Sequence, residues 1–184
     1  MNDTLFETKH DETLAAYREA GHATLAWLEG IKIRNVWLDG DEPAGLVIKV
    51  PSMVDPKGKG RAAIMAMIRV MLAGPTAVET YRFGFSNGST AENFFDQYAQ
   101  IDKQTFCKAA ILASRIAEDG TAFTLDVRPH VELILTTRRI WSAVKAVAEA
   151  LLANRELAGS EVQDLVQTAM ANFERHFDER DSPL

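Results

Sequence analysis

The residues of this chain whose types and spacing could do chemistry lie in the run Tyr17-Arg18-Glu19-Ala20-Gly21-His22. In the pattern H-E-x-x-H, two histidines four residues apart share one helix face and one zinc ion. The glutamate between them acts as general base on the zinc-bound water. Here Glu19 holds the glutamate position and His22 the second histidine position, but Arg18 stands where the first histidine would be. A guanidinium stays protonated and has no lone pair to offer, so it does not ligate a metal. A fixed positive charge ~4 Å from a divalent ion is repelled by roughly 8 kcal/mol at an effective dielectric of about 20, more than one imidazole ligand offsets. The reading favoured by these residue types is a hydrogen-bonded core histidine at position 22 and an ion-pair role for Glu19. A buried Arg18 needs a carboxylate partner, since an unpaired buried charge costs several kcal/mol. Glu19, Glu79, Glu92 and Asp96 are the candidates. Glu19 is the least natural of them, because neighbouring positions on a helix do not face each other.

Those residues have to be carried by a helix. Asp11 is a candidate cap, Gly30 a stop, and Leu14, Tyr17, Gly21, Leu25 and Leu28 follow helical spacing toward a core. Residues 31–38 alternate as a strand with a small irregularity, Asp39-Gly40-Asp41 signals a turn, and residues 45–50 read as a second strand completing a hairpin. Residues 51–60, rich in Pro, Gly and Lys, read as a loop. A helix over 61–81 must kink or restart at Pro75. Further helices are predicted over 90–101, 104–118 and 131–154, with 120–130 as a loop containing Pro129. Ser160 with Gln163 suggests a capping box opening a last helix. The result is an α+β fold, mostly α, a bundle-like set of helices with a short β-hairpin after the first one. Residues 1–10 and 179–184 are expected to fray.

The 184 residues suit a single domain, and a hydrophobic content of 47% is ample for a core. The net charge of −6 offers no basic stripe for nucleic acid. Cys107, the single cysteine, forms no internal disulfide, suits a reducing compartment, and is expected in the core. No apolar run comes near the ~18 residues of a membrane span, and residues 1–4 do not look like a signal peptide. The expected location is the cytoplasm, without membrane insertion. Trp27, Trp37 and Trp141 read as packing residues. Met53, Met65, Met67 and Met71 read as core rather than as a peptide groove.

Ala16-Tyr17-Arg18-Glu19-Ala20-Gly21-His22-Ala23 resembles the active-site helix of the FtsH-type ATP-dependent zinc metalloproteases, which carry A-Y-H-E-A-G-H-A there. Leu72-Ala73-Gly74-Pro75-Thr76-Ala77-Val78-Glu79 resembles that family's L-A-G-R-A-A-E-E, and Phe83-Gly84 its following F-G. Glu92-Asn93-Phe94-Phe95-Asp96-Gln97 is similar to the segment bearing the third zinc ligand, with Phe94 in place of the ligating aspartate. Residues 151–162 resemble the family's C-terminal turn between two helices. The resemblance includes no ATPase domain. It implies that two of three ligand positions, Arg18 and Phe94, are changed and that His22 is the ligand position retained. The expectation is a metal-free relative of the peptidase domain that needs no cofactor and binds a protein or peptide. An edge strand containing Leu46, Val47 and Ile48 would pair with the extended segment. The alternative is an active zinc endopeptidase with Glu19 as general base and an atypical ligand set, drawing on His22 and on His10, Glu92, Asp96 or His130. Because the relatives are hexameric, a homo-oligomeric assembly module is a third expectation.

Overall fold

The computed structural model describes residues 3–38, 45–49, 59–84 and 107–181. Its elements are α1 (Asp3–Leu28), β1 (Lys32–Trp37), β2 (Gly45–Lys49), α2 (Lys59–Phe83), α3 (helical residues 107–113), α4 (Gly120–Leu135), α5 (Arg138–Asn154), β3 (Glu156–Ala158) and α6 (Gly159–Asp181). The fold is α+β and mostly helical, with the hairpin directly after the first helix.

Helix α1 is the axis. Ala16, Tyr17, Glu19, Ala20, Ala23, Thr24, Leu25 and Ala26 are all buried, which leaves little of its middle exposed. Helices α2 and α5 and the sheet pack around it. It begins at Asp3 rather than at an Asp11 cap. It stops where expected, at Gly30, whose φ of 69° is the left-handed conformation glycine adopts without strain.

Helices α1 and α2 run antiparallel along one seam. Glu29 meets Arg69 at one end, Gly21 meets Ala73 and Ala77 in the middle, and Tyr17 stacks on Tyr81 at the other end. A methyl group at Gly21 would come within 2.6 Å of both the Ala73 carbonyl oxygen and the Ala77 Cβ, so small residues set how closely the helices cross. Pro75 neither ends nor divides α2. Beside it the Thr76 hydroxyl donates to Leu72 O at 2.7 Å and the Thr80 hydroxyl to Thr76 O at 2.9 Å. By length and composition Gly60–Phe83 could cross a membrane, contrary to the reading of its sequence. Within this fold 67% of its most apolar 18-residue window is buried against the rest of the protein.

The sheet is antiparallel in the order β2-β1-β3. The irregularity foreseen in β1 is a register shift between Ile33 and Asn35 against β2. Strand β3 was not foreseen. Arg155 caps α5 with a φ of 69°, and Glu156–Ala158 then pair with Asn35–Trp37 before α6 starts. The cap of α6 also lies earlier than Ser160 and Gln163. The Glu161 carboxylate reaches back to accept the Ala158 N–H at 2.6 Å, the reciprocal arm of a capping box.

Three further expectations fail. Residues 120–130 are helical, not a loop: Asp119 caps them by accepting from the Thr121 and Ala122 N–H groups at 2.9 and 3.0 Å. Pro129 sits on the exposed side while Thr124, Val127, Val131 and Leu135 keep an inward stripe. The single helix expected over 131–154 is broken at Thr136-Thr137, whose hydroxyls bond back to Glu132 O and Leu133 O. Cys107 is exposed rather than buried, because Ala109, Leu112 and Ala113 form the inward face of α3 and position 107 lies off it. Trp27 and Trp141 are half-buried as expected, and Met67 is buried with Met65 and Met71 packed against the core. Met53 and the helix expected over 90–101 lie outside the described residues.

Candidate functional site

The carboxylate of Glu19 is taken out of water: the residue retains 3% of its exposure. Its Oε1 accepts from Arg18 Nε at 2.9 Å, so its counter-charge comes from the preceding residue. Neighbouring positions on a helix diverge, which makes this partner an unexpected one. The guanidinium stem is long enough to fold back across its own turn, and the side chain keeps 25% of its exposure, so the pair lies at the rim of the core. Glu79, another candidate partner, is paired with Arg128 at 3.2 Å. Glu92 and Asp96 lie outside the described residues.

One turn on from Arg18, His22 is half-buried and its Nδ1 lies 2.6 Å from the carbonyl oxygen of Val70 on α2. A carbonyl only accepts, so Nδ1 carries the proton and, in the neutral ring, Nε2 carries the lone pair. The ring rests on Gly74. A Cβ there would fall 2.3, 2.5 and 2.7 Å from Nε2, Cε1 and Cδ2. Those near-equal distances put the point over the ring face rather than in its plane. Gly74 is therefore required by His22, and the in-plane direction of the Nε2 lone pair is left clear of it. Val70 and Gly74 were not foreseen as partners of His22. Gly74 in the Ala73-Gly74-Pro75 run is the one sequence signal that could have pointed there, since a glycine within a helix marks a close approach.

These residues do not fit a zinc ion. His22 has the tautomer a metal ligand needs, with its second nitrogen held by a carbonyl, but it stands without a companion ligand among the described residues. The neighbouring position on that face is a cation, and the intervening carboxylate is bonded to that cation. Among the described residues no three His, Cys, Asp or Glu side chains gather as a metal site. Phe94 lies outside the described residues. His130 is exposed on α4, and the side chain of His10 is not described.

Leu46, Val47 and Ile48 are central in β2, which packs against α1 and pairs with β1 on one side. Among the described residues its other side has no strand partner, so β2 is an edge of the sheet. An open cleft of about 370 Å³ lies elsewhere, between the end of α1, the start of β1 and the start of α6, lined by Trp27, Ile31, Ile33, Lys32, Ser160 and Gln163. None of the site residues foreseen from the sequence lines it. In comparisons with known proteins, no family model matches the chain, and no curated protein matches it.

Proposed function

We propose that this protein is a metal-free relative of the FtsH-type peptidase domain that binds extended polypeptide without cutting it. The observation that carries the reading is the edge of β2, without a strand partner among the described residues, beside an active-site-like helix whose general-base position is already engaged by Arg18. A sheet edge offers a row of N–H and C=O groups that an extended chain can complete as an added strand. A carboxylate acting as general base on a metal-bound water needs the metal to polarise that water, and the charge beside Glu19 is the Arg18 guanidinium instead.

The second reading is an endopeptidase that uses Glu19 as general base with zinc on His22. It is favoured by one observation, the lone pair that the Val70 contact leaves on Nε2. One experiment separates the two. Fluorescein-labelled, unfolded casein is titrated with the protein, and its integrity is followed by mass spectrometry. The proposal predicts saturable binding of intact casein. Proline placed in turn at Leu46, Val47 and Ile48 should abolish binding at the positions whose N–H points away from β1. Cleavage that Glu19→Gln abolishes would establish the second reading, and absence of binding would remove the first. The assembly expectation is carried in the same reading, and light scattering tests it: a monomer would exclude a ring.

A further inference from the structure

We propose that the cleft between the end of α1, the start of β1 and the start of α6 is a binding site for a small carboxylate on an apolar body. The proposal goes beyond the proposed function and does not rest on it, since neither β2 nor the Arg18–His22 face of α1 lines this cleft.

The cleft exists because β3 is short. Strand β1 pairs with β2 from Lys32 to Trp37, but with β3 only from Asn35 to Trp37. At Gly159 the chain leaves the sheet and enters α6. On that side Lys32 and Ile33 therefore have no strand partner among the described residues. Gly159 holds the two elements close. A Cβ there would fall 2.0 Å from Ile33 O, so any other residue would lift the start of α6 off β1. The space left beside this contact is about 370 Å³, a volume suited to a small molecule.

Its lining has two kinds of surface. Ile31 is buried, and Trp27 and Ile33 are half-buried, which makes an apolar wall. Lys32, Ser160 and Gln163 are exposed around it. Ser160 and Gln163 are three residues apart and share one face of α6. Among the described residues, no hydrogen bond or ion pair engages the side chains of Trp27, Lys32, Ser160 or Gln163. An indole N–H and an ammonium only donate, and a hydroxyl and a carboxamide donate as well. The acidic residues flanking the lining in sequence are committed: Glu29 is bonded to Arg69 and Glu161 to the Ala158 N–H. Unengaged donors and one cation beside an apolar wall match an anionic acceptor on an apolar body, not a cation.

The test is a titration of the full chain, labelled with nitrogen-15, with 3-phenylpropionate and with its primary amide. Trp27→Phe assigns the Trp27 indole resonance. The acid should shift that resonance together with those of Ile33 and Gln163, and saturate at a roughly millimolar dissociation constant, the scale of a fragment in an open cleft. Lys32→Gln should weaken the acid about three- to fivefold and leave the amide unchanged, as loss of an exposed charge pair does. Lys32 is exposed, so this variant keeps the fold. The amide should bind the native chain as weakly as the acid binds Lys32→Gln, or more weakly. No shift at these resonances would overturn the proposal. So would equal binding of acid and amide, or acid binding that Lys32→Gln leaves unchanged. N-acetyl-glycyl-glycyl-phenylalanine separates two sources of the same chemistry. Tighter binding than the free acid assigns the carboxylate to a polypeptide end, weaker binding assigns it to a free acid, and either supports the site. Casein binding does not enter this readout, so the site and the peptide-binding proposal fail separately.

Discussion

Among the arginine–glutamate pairs that involve α1, two differ in every respect that matters. Arg69 and Glu29 come from different helices and meet through two bonds of 2.5 and 2.7 Å at the end of the α1–α2 seam. The hydrogen bonds to Glu29 raise the Arg69 pKa above its usual value. Arg18 and Glu19 are neighbours in one helix and meet through a bond of 2.9 Å, with the carboxylate almost wholly out of water. The first pair fastens two elements together and is bidentate, as such fasteners are. The second lies within a single turn of one helix. It neutralises a buried carboxylate, and its presence makes sense as the occupation of a place where another kind of charge could have stood.

The largest expected effect comes from breaking the second pair. Arg18→Met should destabilise the protein by about 3 kcal/mol or more, because it leaves a buried carboxylate without its counter-charge. Adding Glu19→Gln should recover much of that loss in a double-mutant cycle. Arg69→Met, by contrast, leaves Glu29 nearer water and should cost about 1–2 kcal/mol. Urea denaturation of the variants measures both, and equal losses would remove the distinction.

The seam between the pairs can be broken sterically. Gly21→Ala and Gly74→Ala should each destabilise by roughly 1–3 kcal/mol, the usual cost of overpacking. The first acts through Ala73 and Ala77, the second by displacing the His22 ring. Neither should act if alanine's better helix propensity decided the outcome, in which case stability would rise by somewhat under ~1 kcal/mol. Nuclear magnetic resonance of the His22 ring would distinguish the two glycines, since only Gly74→Ala should move it.

The smallest effect is a pH dependence at the far end of the seam. Burial, with the Glu149 carboxylate and Tyr81 nearby, pushes the Tyr17 phenol above its ordinary value of 10.0. The folded state therefore holds that proton more firmly than the unfolded chain. The contribution is fully present below about pH 10 and is lost as pH rises through the raised folded value. Denaturation midpoints should fall from about pH 10 upward, and Tyr17→Phe should flatten that part of the fall.

How much of this was legible beforehand follows from the range of each signal. The end of α1 at Gly30, the hairpin and the irregularity in β1 rest on local patterns, and they were readable. The break at Thr136-Thr137 and the helix running through Pro129 depend on side chains bonding back to the backbone and on which face is buried. Helical periodicity alone does not report either. Strand β3 is three residues long, too short for alternation to register. At the site, residue types on α1 were enough to single out Arg18, Glu19 and His22. Their partners were not readable. The fold-back of Arg18 onto its neighbour is a rotamer choice, and Val70 and Gly74 reach His22 only when α2 folds across α1. The glycines of Ala20-Gly21-His22 and Ala73-Gly74-Pro75, which carry part of the family resemblance, also have a packing role at the helix crossing.

The most direct measurement is the zinc content of native protein, purified without chelator, re-exposed to zinc, dialysed and weighed by native mass spectrometry. The Arg18–Glu19 pair at the metal-ligand face predicts the mass of the metal-free chain. One zinc per chain would contradict the account and move the endopeptidase reading to first place.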